Sequence, residues 1–369
     1  MTSKALVDVE DVRAGVDRVL AAAVGDLDDE LREFGTDTRL TGELREFVSG
    51  GKRLRAALCY WSWRAHGGNV ADDAARDTVL RVGAALELFQ AAALVHDDVM
   101  DASDTRRGRP AVHRQFSEVH RAHGWSGPEA PFGDAVAIVL GDLALIASDR
   151  VFAAALNGAP QPAGASLAHA REVFDRMRIE VTAGQYLDLL AQAQPWAAPE
   201  EEERRARTIV RSKSARYSVE HPLTLGAALA GAGSQALALC REVGLPLGEA
   251  FQLRDDMLGI FGDPSVTGKP TGDDFREGKR TVLIARALAA ADEPDRARLT
   301  RALGRRDLAE HDVEELRGVL RDTGAVAAVE RLIDDLAGPA LAALRASSLL
   351  EPGRSMLVRL GHASVVRHA

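Results

Sequence analysis

The sequence predicts an all-α protein, read as a single large helical bundle, and three observations carry that prediction. Aromatic residues make up only 5% of the chain. Ala, Leu, Arg and Glu dominate it, and the β-branched, alternating runs that mark strands are absent. At 369 residues with 46% apolar side chains, the chain is long enough to bury one large core or two smaller ones. Its formal net charge of −9 lacks the basic field that holds a protein on nucleic acid, so that partner is not expected, and any anionic ligand must be held by local charges. Two cysteines, Cys59 and Cys240, are too few for a disulfide framework, which points to a reduced, cytoplasmic compartment.

Residues 1 to about 15 carry charges every few positions and contain no secretory signal; they are expected to be partly disordered. The irregular stretches 67–71, 124–133, 157–165, 194–199 and 262–278 are too short to be clear linkers, so 16–369 reads as one domain. Pro199 followed by Glu200, Glu201, Glu202 and Glu203 marks a helix start. The run from His221 to Cys240 has no formally charged side chain and is long enough to cross a bilayer. Its Pro222, Gly226, Gly231 and Gly233 argue for a buried, broken helix instead, and no membrane span is expected.

Chemistry is concentrated in an arrangement that occurs twice. His96-Asp97-Asp98-Val99-Met100-Asp101 and Arg254-Asp255-Asp256-Met257-Leu258-Gly259 each follow an apolar helical run. Asp97 and Asp101, four apart, lie on one helix face within about 40° in projection. Their repulsion calls for bridging cations, and hard carboxylate oxygens suit Mg²⁺. Basic residues follow each cluster: Arg106, Arg107 and Arg109 after the first, Lys269, Lys279 and Arg280 after the second. Carboxylates that hold Mg²⁺ beside Arg and Lys describe a diphosphate site, with metal-assisted departure of diphosphate as the candidate chemistry. Gly50-Gly51-Lys52-Arg53-Leu54-Arg55 offers backbone N–H groups and cations to a second anion. No Glu-x-x-His motif supports a di-iron bundle, and no P-loop supports nucleotide chemistry. His96 beside Asp97 invites a role as base, but a hydrogen-bonded helix-end histidine is the preferred reading.

Taken together, GGKRLR at 50–55, ELFQAAALVHDDVMDASDTRRGRP at 87–110, GQYLDLL at 184–190, KSARYS at 213–218 and FQLRDDMLGIFGDPSVTGKPTGDDFREGK at 251–279 resemble the trans-isoprenyl diphosphate synthases, or polyprenyl synthetases. The resemblance is most like bacterial geranylgeranyl diphosphate synthases. It implies an all-α prenyltransferase fold, a homodimer, and head-to-tail condensation of an allylic diphosphate with isopentenyl diphosphate. It also implies about three Mg²⁺ ions on the allylic diphosphate, held by Asp97, Asp98, Asp101, Asp188, Asp255 and Asp256. Arg106, Lys213 and Lys269 are implied to steady the departing charge, so that Asp97, Asp101, Arg106, Lys213, Asp255 and Lys269 carry the ionisation.

Ser214, Gln185, Gln252 and Lys279 complete the allylic site by the same resemblance, with Ser214 standing where threonine is common. Lys52, Arg55, Gln90 and Arg107 match the isopentenyl diphosphate site. Gly259 departs from the pattern, because the commonest second motif has its third aspartate there. Restoring aspartate at Gly259 is expected to change the Mg²⁺ dependence more than the maximal rate. Ala93, Ala92 and Phe89 lie four, five and eight positions before Asp97, on the face beneath the reacting carbon. Small alanines with Phe89 as floor imply a geranylgeranyl (C20) product, with longer C25 to C35 chains or C15 as alternatives. A terpene cyclase or a non-catalytic regulatory subunit are competing readings. Retention of Lys52, Arg55 and Gln90 argues against the first, and intact Asp97, Asp101, Arg106 and Arg107 against the second.

Overall fold

The computed structural model describes residues 8–160, 164–262 and 272–366, and these are overwhelmingly helical. After a short 3₁₀ turn at Val9–Asp11 come α1 (Val12–Glu33), α2 (Arg39–Val48), α3 (Leu54–Ala65) and α4 (Asp73–Met100). A ribbon of two-residue strands, β1 (Thr105–Arg106) and β2 (Arg109–Pro110), leads to α5 (Val112–His123), α6 (Glu129–Asn157) and α7 (Gly164–Ala193). α8 (Pro199–Ile209) runs into a π-helix (Val210–Glu220) and then α9 (His221–Leu229). The chain finishes with α10 (Ser234–Phe261), α11 (Asp273–Glu277), α12 (Val282–Ala290), α13 (Glu293–Ala302), α14 (Glu310–Asp322), α15 (Ala325–Ala346) and α16 (Gly353–Val365).

The described chain forms two compact units. One comprises the described part of Met1–Ala168 with Leu225–Ala232 and Leu350–Met356; the other comprises His169–Thr224, Gly233–Leu349 and the described part of Leu357–Ala369. The first two crossings fall inside α7 and inside α9. No change of composition marks them, because a continuous helix needs no linker residues.

In the first unit α4 is the central helix. Asp72 caps it by accepting from the Ala75 N–H at 3.0 Å, and it runs about 42 Å at 1.5 Å per residue. Leu86, Leu88, Ala84 and Ala85 are fully buried, as a helix apolar on most of its faces requires. It packs along α6, α3 and α1, and the Ser148 hydroxyl of α6 donates to the Ala85 carbonyl at 2.7 Å. In the second unit α10 packs on the π-helix and α15. Arg254 forks onto Glu330 of α15 with two bonds of 2.6 Å and donates to the Val365 carbonyl of α16 at 3.1 Å.

Several sequence expectations have direct structural counterparts. Pro199 stands in the first turn of α8, and Glu202 accepts from the Ala197 N–H at 2.6 Å. The His221–Cys240 run is broken between Leu229 and Ser234, and most of its first half is buried. Two other helices, α4 and α6, are long and apolar enough to cross a membrane by composition. α4 is a core helix. α6 is less buried, leaving Ile138, Val139 and Ile146 about half exposed. The stretch 124–133 is irregular only to Pro128, since Pro131 falls in the first turn of α6, where no N–H is needed. Residues 1–7 lie outside the described residues, whereas from Val9 the chain is helical and Val12 and Val16 are fully buried. Within 262–278, residues 273–277 form α11, and 263–271 lie outside the described residues.

Candidate active site

In the first unit the acidic cluster sits at the C-terminal end of α4. Asp101 follows the last helical residue, and its N–H donates to the Asp97 carbonyl at 2.8 Å, so the i, i+4 relation of the two aspartates holds. Three carboxylates at a helix C-terminus oppose the helix dipole as well as one another. Arg106 relieves part of that repulsion. Its Nε donates to both oxygens of Asp98 at 2.9 and 3.1 Å, and its Nη2 lies 3.8 Å from Asp97. The Asp98 side chain is only 1% exposed, against 15% for Asp97. Asp98 therefore serves as the counter-charge of Arg106 in this structure. Its burial leaves Asp97 as the more open carboxylate.

The cations gather around two tight turns. Arg107 and Gly108 are both left-handed, with φ of 54° and 76°, as a two-residue hairpin between β1 and β2 demands. This turn brings the Arg107 guanidinium over the Phe47 ring at 5.6 Å, where it donates to the Phe47 carbonyl at 3.1 Å. A Cβ on Gly51 would stand 3.6 Å from Arg107 Nη2, which puts the hairpin beside the Gly50–Arg55 loop. Arg53 turns inward from that loop and is buried, bonded to Asp17 at 2.8 Å and to the Val48 carbonyl at 2.5 Å, with Glu87 at 3.4 Å. Arg53 is thereby committed to the protein interior, whereas Lys52 is exposed and Arg55 half-buried. Burial of the Arg107 guanidinium, and after it the charges of Arg106, Arg53 and Arg55, lower the Arg107 pKa, with Glu87 acting the other way. Four guanidinium groups thus crowd one region.

Gln90 is half-buried, seven residues before Asp97 on the unbroken α4. Of the chain-length trio, Phe89 and Ala92 are buried, at 3% and 0%, and only Ala93 is partly open. Helical rotation turns Ala92 into the packed core while Ala93 faces a more open side of α4. The His96 ring fits against Gly141 of α6, with Nε2 3.2 Å from the Ile138 carbonyl, which occupies it structurally.

In the second unit the π-helix sets the geometry. A Cβ on Gly184 would lie 2.7 Å from Lys213 Cα, and one on Gly248 would lie 2.7 Å from the Ala215 carbonyl carbon. These two glycines let α7 and α10 press their backbones onto the π-helix. Lys213 Nζ then reaches Asp188 Oδ2 at 2.7 Å, while Gln185 and Ser214 are half-buried nearby in sequence. On α10, Gln252 Nε2 donates to Asp256 Oδ1 at 2.8 Å. Burial, and then the neighbouring charges of Asp274 and Asp255, push the Asp256 pKa up to about 7, against the Gln252 hydrogen bond and Lys279. Lys279 Nζ pairs with Glu277 at 2.5 Å and lies 3.9 Å from Asp274. Lys269 lies outside the described residues. Arg280 stacks on Trp196 at 4.0 Å and donates to the Gln194 carbonyl at 2.7 Å, which makes it a structural cation.

The donor set fits Mg²⁺ better than a softer ion. Among the described residues no three His, Cys, Asp or Glu side chains converge to cage a metal. Hard carboxylate oxygens suit a cation that keeps some of its waters and completes its shell with phosphate oxygens. The crowding that drives Asp256 toward its neutral form is the electrostatic counterpart, because divalent charge would relieve it.

Sequence reasoning missed Glu87, which with Asp17 holds Arg53 inward, and gave no role to Asp274, although Asp274 lies within the quoted 251–279 motif. A buried acid shows in the sequence only as one more charged residue.

Residues 37–320 match the family model described as polyprenyl synthetase. The chain is 33% identical over 296 residues to a geranylgeranyl diphosphate synthase of Mycobacterium tuberculosis, covering 80% of this chain and 75% of that one. It is 31% identical over 297 residues to a geranylfarnesyl diphosphate synthase of Aeropyrum pernix, covering 79% and 82%. In structure it is similar to the geranylgeranyl pyrophosphate synthase of Corynebacterium glutamicum, solved with isoprenyl diphosphate and magnesium. That similarity has a TM-score of 0.89 at 34% identity, over 98% of this chain and all of that one.

Proposed function

We propose, from the premise that this chain belongs to the polyprenyl synthetase family and is a prenyltransferase that elongates prenyl diphosphates, that it makes geranylgeranyl diphosphate (C20). Isopentenyl diphosphate is joined head-to-tail to an allylic diphosphate. The observation that carries the site assignment is the β1–β2 turn, which sets Arg107 beside the Gly50–Arg55 loop and Arg106 beside Asp97, so that guanidinium groups suited to phosphate oxygens stand next to the first acidic cluster.

Lys52, Arg55, Gln90 and Arg107 hold the isopentenyl diphosphate, whose diphosphate stays attached throughout. Asp97, Asp101, Asp188, Asp255 and Asp256 hold Mg²⁺, proposed as three ions. When bound, Mg²⁺ supplies the Lewis-acid charge that pairs with the leaving diphosphate. Arg106, Lys213 and Lys269 are proposed to steady the negative charge that grows as the allylic C–O bond breaks. The isopentenyl double bond then attacks the allylic carbon, and the released diphosphate takes the proton lost by the new product. No side-chain base is needed, in keeping with a His96 that is bound to α6.

The C20 assignment is supported by Ala93, partly open one turn below Asp97, with Phe89 as proposed floor about 12 Å below Asp97 along the helix. The proposed homodimer is supported by Ile138, Val139 and Ile146 on α6, three large apolar side chains left about half exposed on one helix. Two buried cysteines that form no disulfide agree with a cytoplasmic setting. The test is purified protein with Mg²⁺, labelled isopentenyl diphosphate and each allylic primer in turn, with products extracted and sized. Label entering a C20 product supports the reading, and no chain extension with any primer would overturn it.

A further inference from the structure

Position 259 lies one helical turn after Asp255 on α10, and its side-chain space is filled by another residue. A Cβ built on Gly259 would lie 2.8 Å from Cγ of Asp274 and closer still to its Oδ2. Carbon atoms at rest stand about 3.5–4.0 Å apart. Asp274 reaches this spot from α11, a five-residue helix bounded by Gly272 and Gly278, both left-handed at φ of 72° and 75°.

That helix is firmly held. Phe275 is fully buried, its carbonyl accepts from the Gly304 N–H at 2.8 Å, and the Lys279 N–H donates to the Asp274 carbonyl at 3.0 Å. Asp274 is 9% exposed and has little room to swing aside.

We propose that Asp274 replaces the carboxylate that Gly259 lacks: the third acid of the second cluster arrives across space from α11, and position 259 is glycine because Asp274 occupies its volume. The proposal rests on reading Asp255 and Asp256 as metal-binding. It replaces the sequence expectation for Gly259, since an aspartate added there would force two carboxylates into one space rather than restore a missing ligand.

The test uses the full chain with Asp274→Asn, Asp255→Asn, Gly259→Asp and the double variant Gly259→Asp/Asp274→Ala. Mg²⁺ is titrated calorimetrically in the presence of inorganic diphosphate, and thermal unfolding is followed without metal. Asp274→Asn, nearly isosteric and expected to fold, should weaken Mg²⁺ binding about 10- to 100-fold. Gly259→Asp should lower the melting temperature, and adding Asp274→Ala should recover both that loss and most of the metal affinity. Wild-type affinity in Asp274→Asn, with affinity lost in Asp255→Asn, overturns the replacement alone. Unchanged affinity in both variants overturns the metal reading together with it. A double variant no more stable than Gly259→Asp shows that the two positions do not share one space.

Discussion

Arg107 offers the sharpest test of the separate anion sites. A charge-assisted hydrogen bond contributes about 1.5–3 kcal/mol, so losing one to a diphosphate corresponds to roughly 10- to 150-fold in affinity. Two features place Arg107→Ala in the lower half of that range. One of its nitrogens is already committed to the Phe47 carbonyl at 3.1 Å, and removing it relieves repulsion from Arg106, Arg53 and Arg55. The expected result is an increase in the Michaelis constant for isopentenyl diphosphate of about 10- to 30-fold, with turnover held within about threefold. Arg107→Lys keeps the charge but loses the planar fork, and should fall between wild type and alanine. Steady-state kinetics with each substrate varied in turn makes the measurement. An equal rise in the constant for the allylic substrate, or a fall in turnover with no change in the constant, would refute the assignment.

Three further outcomes are expected. Asp97→Ala should lower turnover by at least about 10²-fold, near 2.7 kcal/mol of transition-state stabilisation, and EDTA should do the same to wild type; activity within a few fold in either case would remove the metal from the mechanism. Ala93→Phe should shift the product toward C15 and Phe89→Ala should lengthen it, and product sizes unmoved by Ala93→Phe would show that the chain grows elsewhere. Glu180 is subject to burial that raises its pKa, but the His221 hydrogen bond at 2.8 Å, Arg176 at 2.7 Å and Arg216 outweigh it and hold the group at about 2, below its ordinary 4.5. A depressed carboxyl stabilises the fold above the unfolded value and loses that contribution as pH falls toward 2. The wild type should therefore exceed Glu180→Gln by up to about 3 kcal/mol near pH 6, and by clearly less at pH 3, in urea unfolding. A gap of constant size would show that the ionised form is not what matters.

Much of the site was legible because its signals are local. Asp97 and Asp101 four apart, Pro199 ahead of four glutamates, and the glycines that break His221–Cys240 all act within a few residues of themselves. The features that stayed hidden depend on partners distant in the chain. Lys52, Arg53 and Arg55 look alike in sequence, yet Asp17 and Glu87 draw Arg53 inward while its neighbours stay nearer the surface. Asp98 looked equivalent to Asp97 until Arg106 closed on it. Ala92 and Ala93 are adjacent and chemically identical, and only the rotation of α4 in its surroundings separates them. The boundaries of the two units leave no mark in the sequence because three of the five crossings lie within helices.

The π-helix has a consequence for how this chain tolerates changes of length. Its wider turns take up more residues than an α-helix would over the same rise, so Val210–Glu220 stores surplus backbone inside what otherwise reads as unbroken helix. Removing one residue ahead of Lys213 would let the segment tighten, and each lost residue rotates the downstream helix by about 100°. The ammonium group would swing away from Asp188, and the backbone that fits against Gly184 and Gly248 would no longer match them. A deletion in the irregular 194–199 stretch changes no such register. Among related chains, gaps should therefore collect in that stretch and avoid 210–220, even where the individual side chains of the latter vary freely.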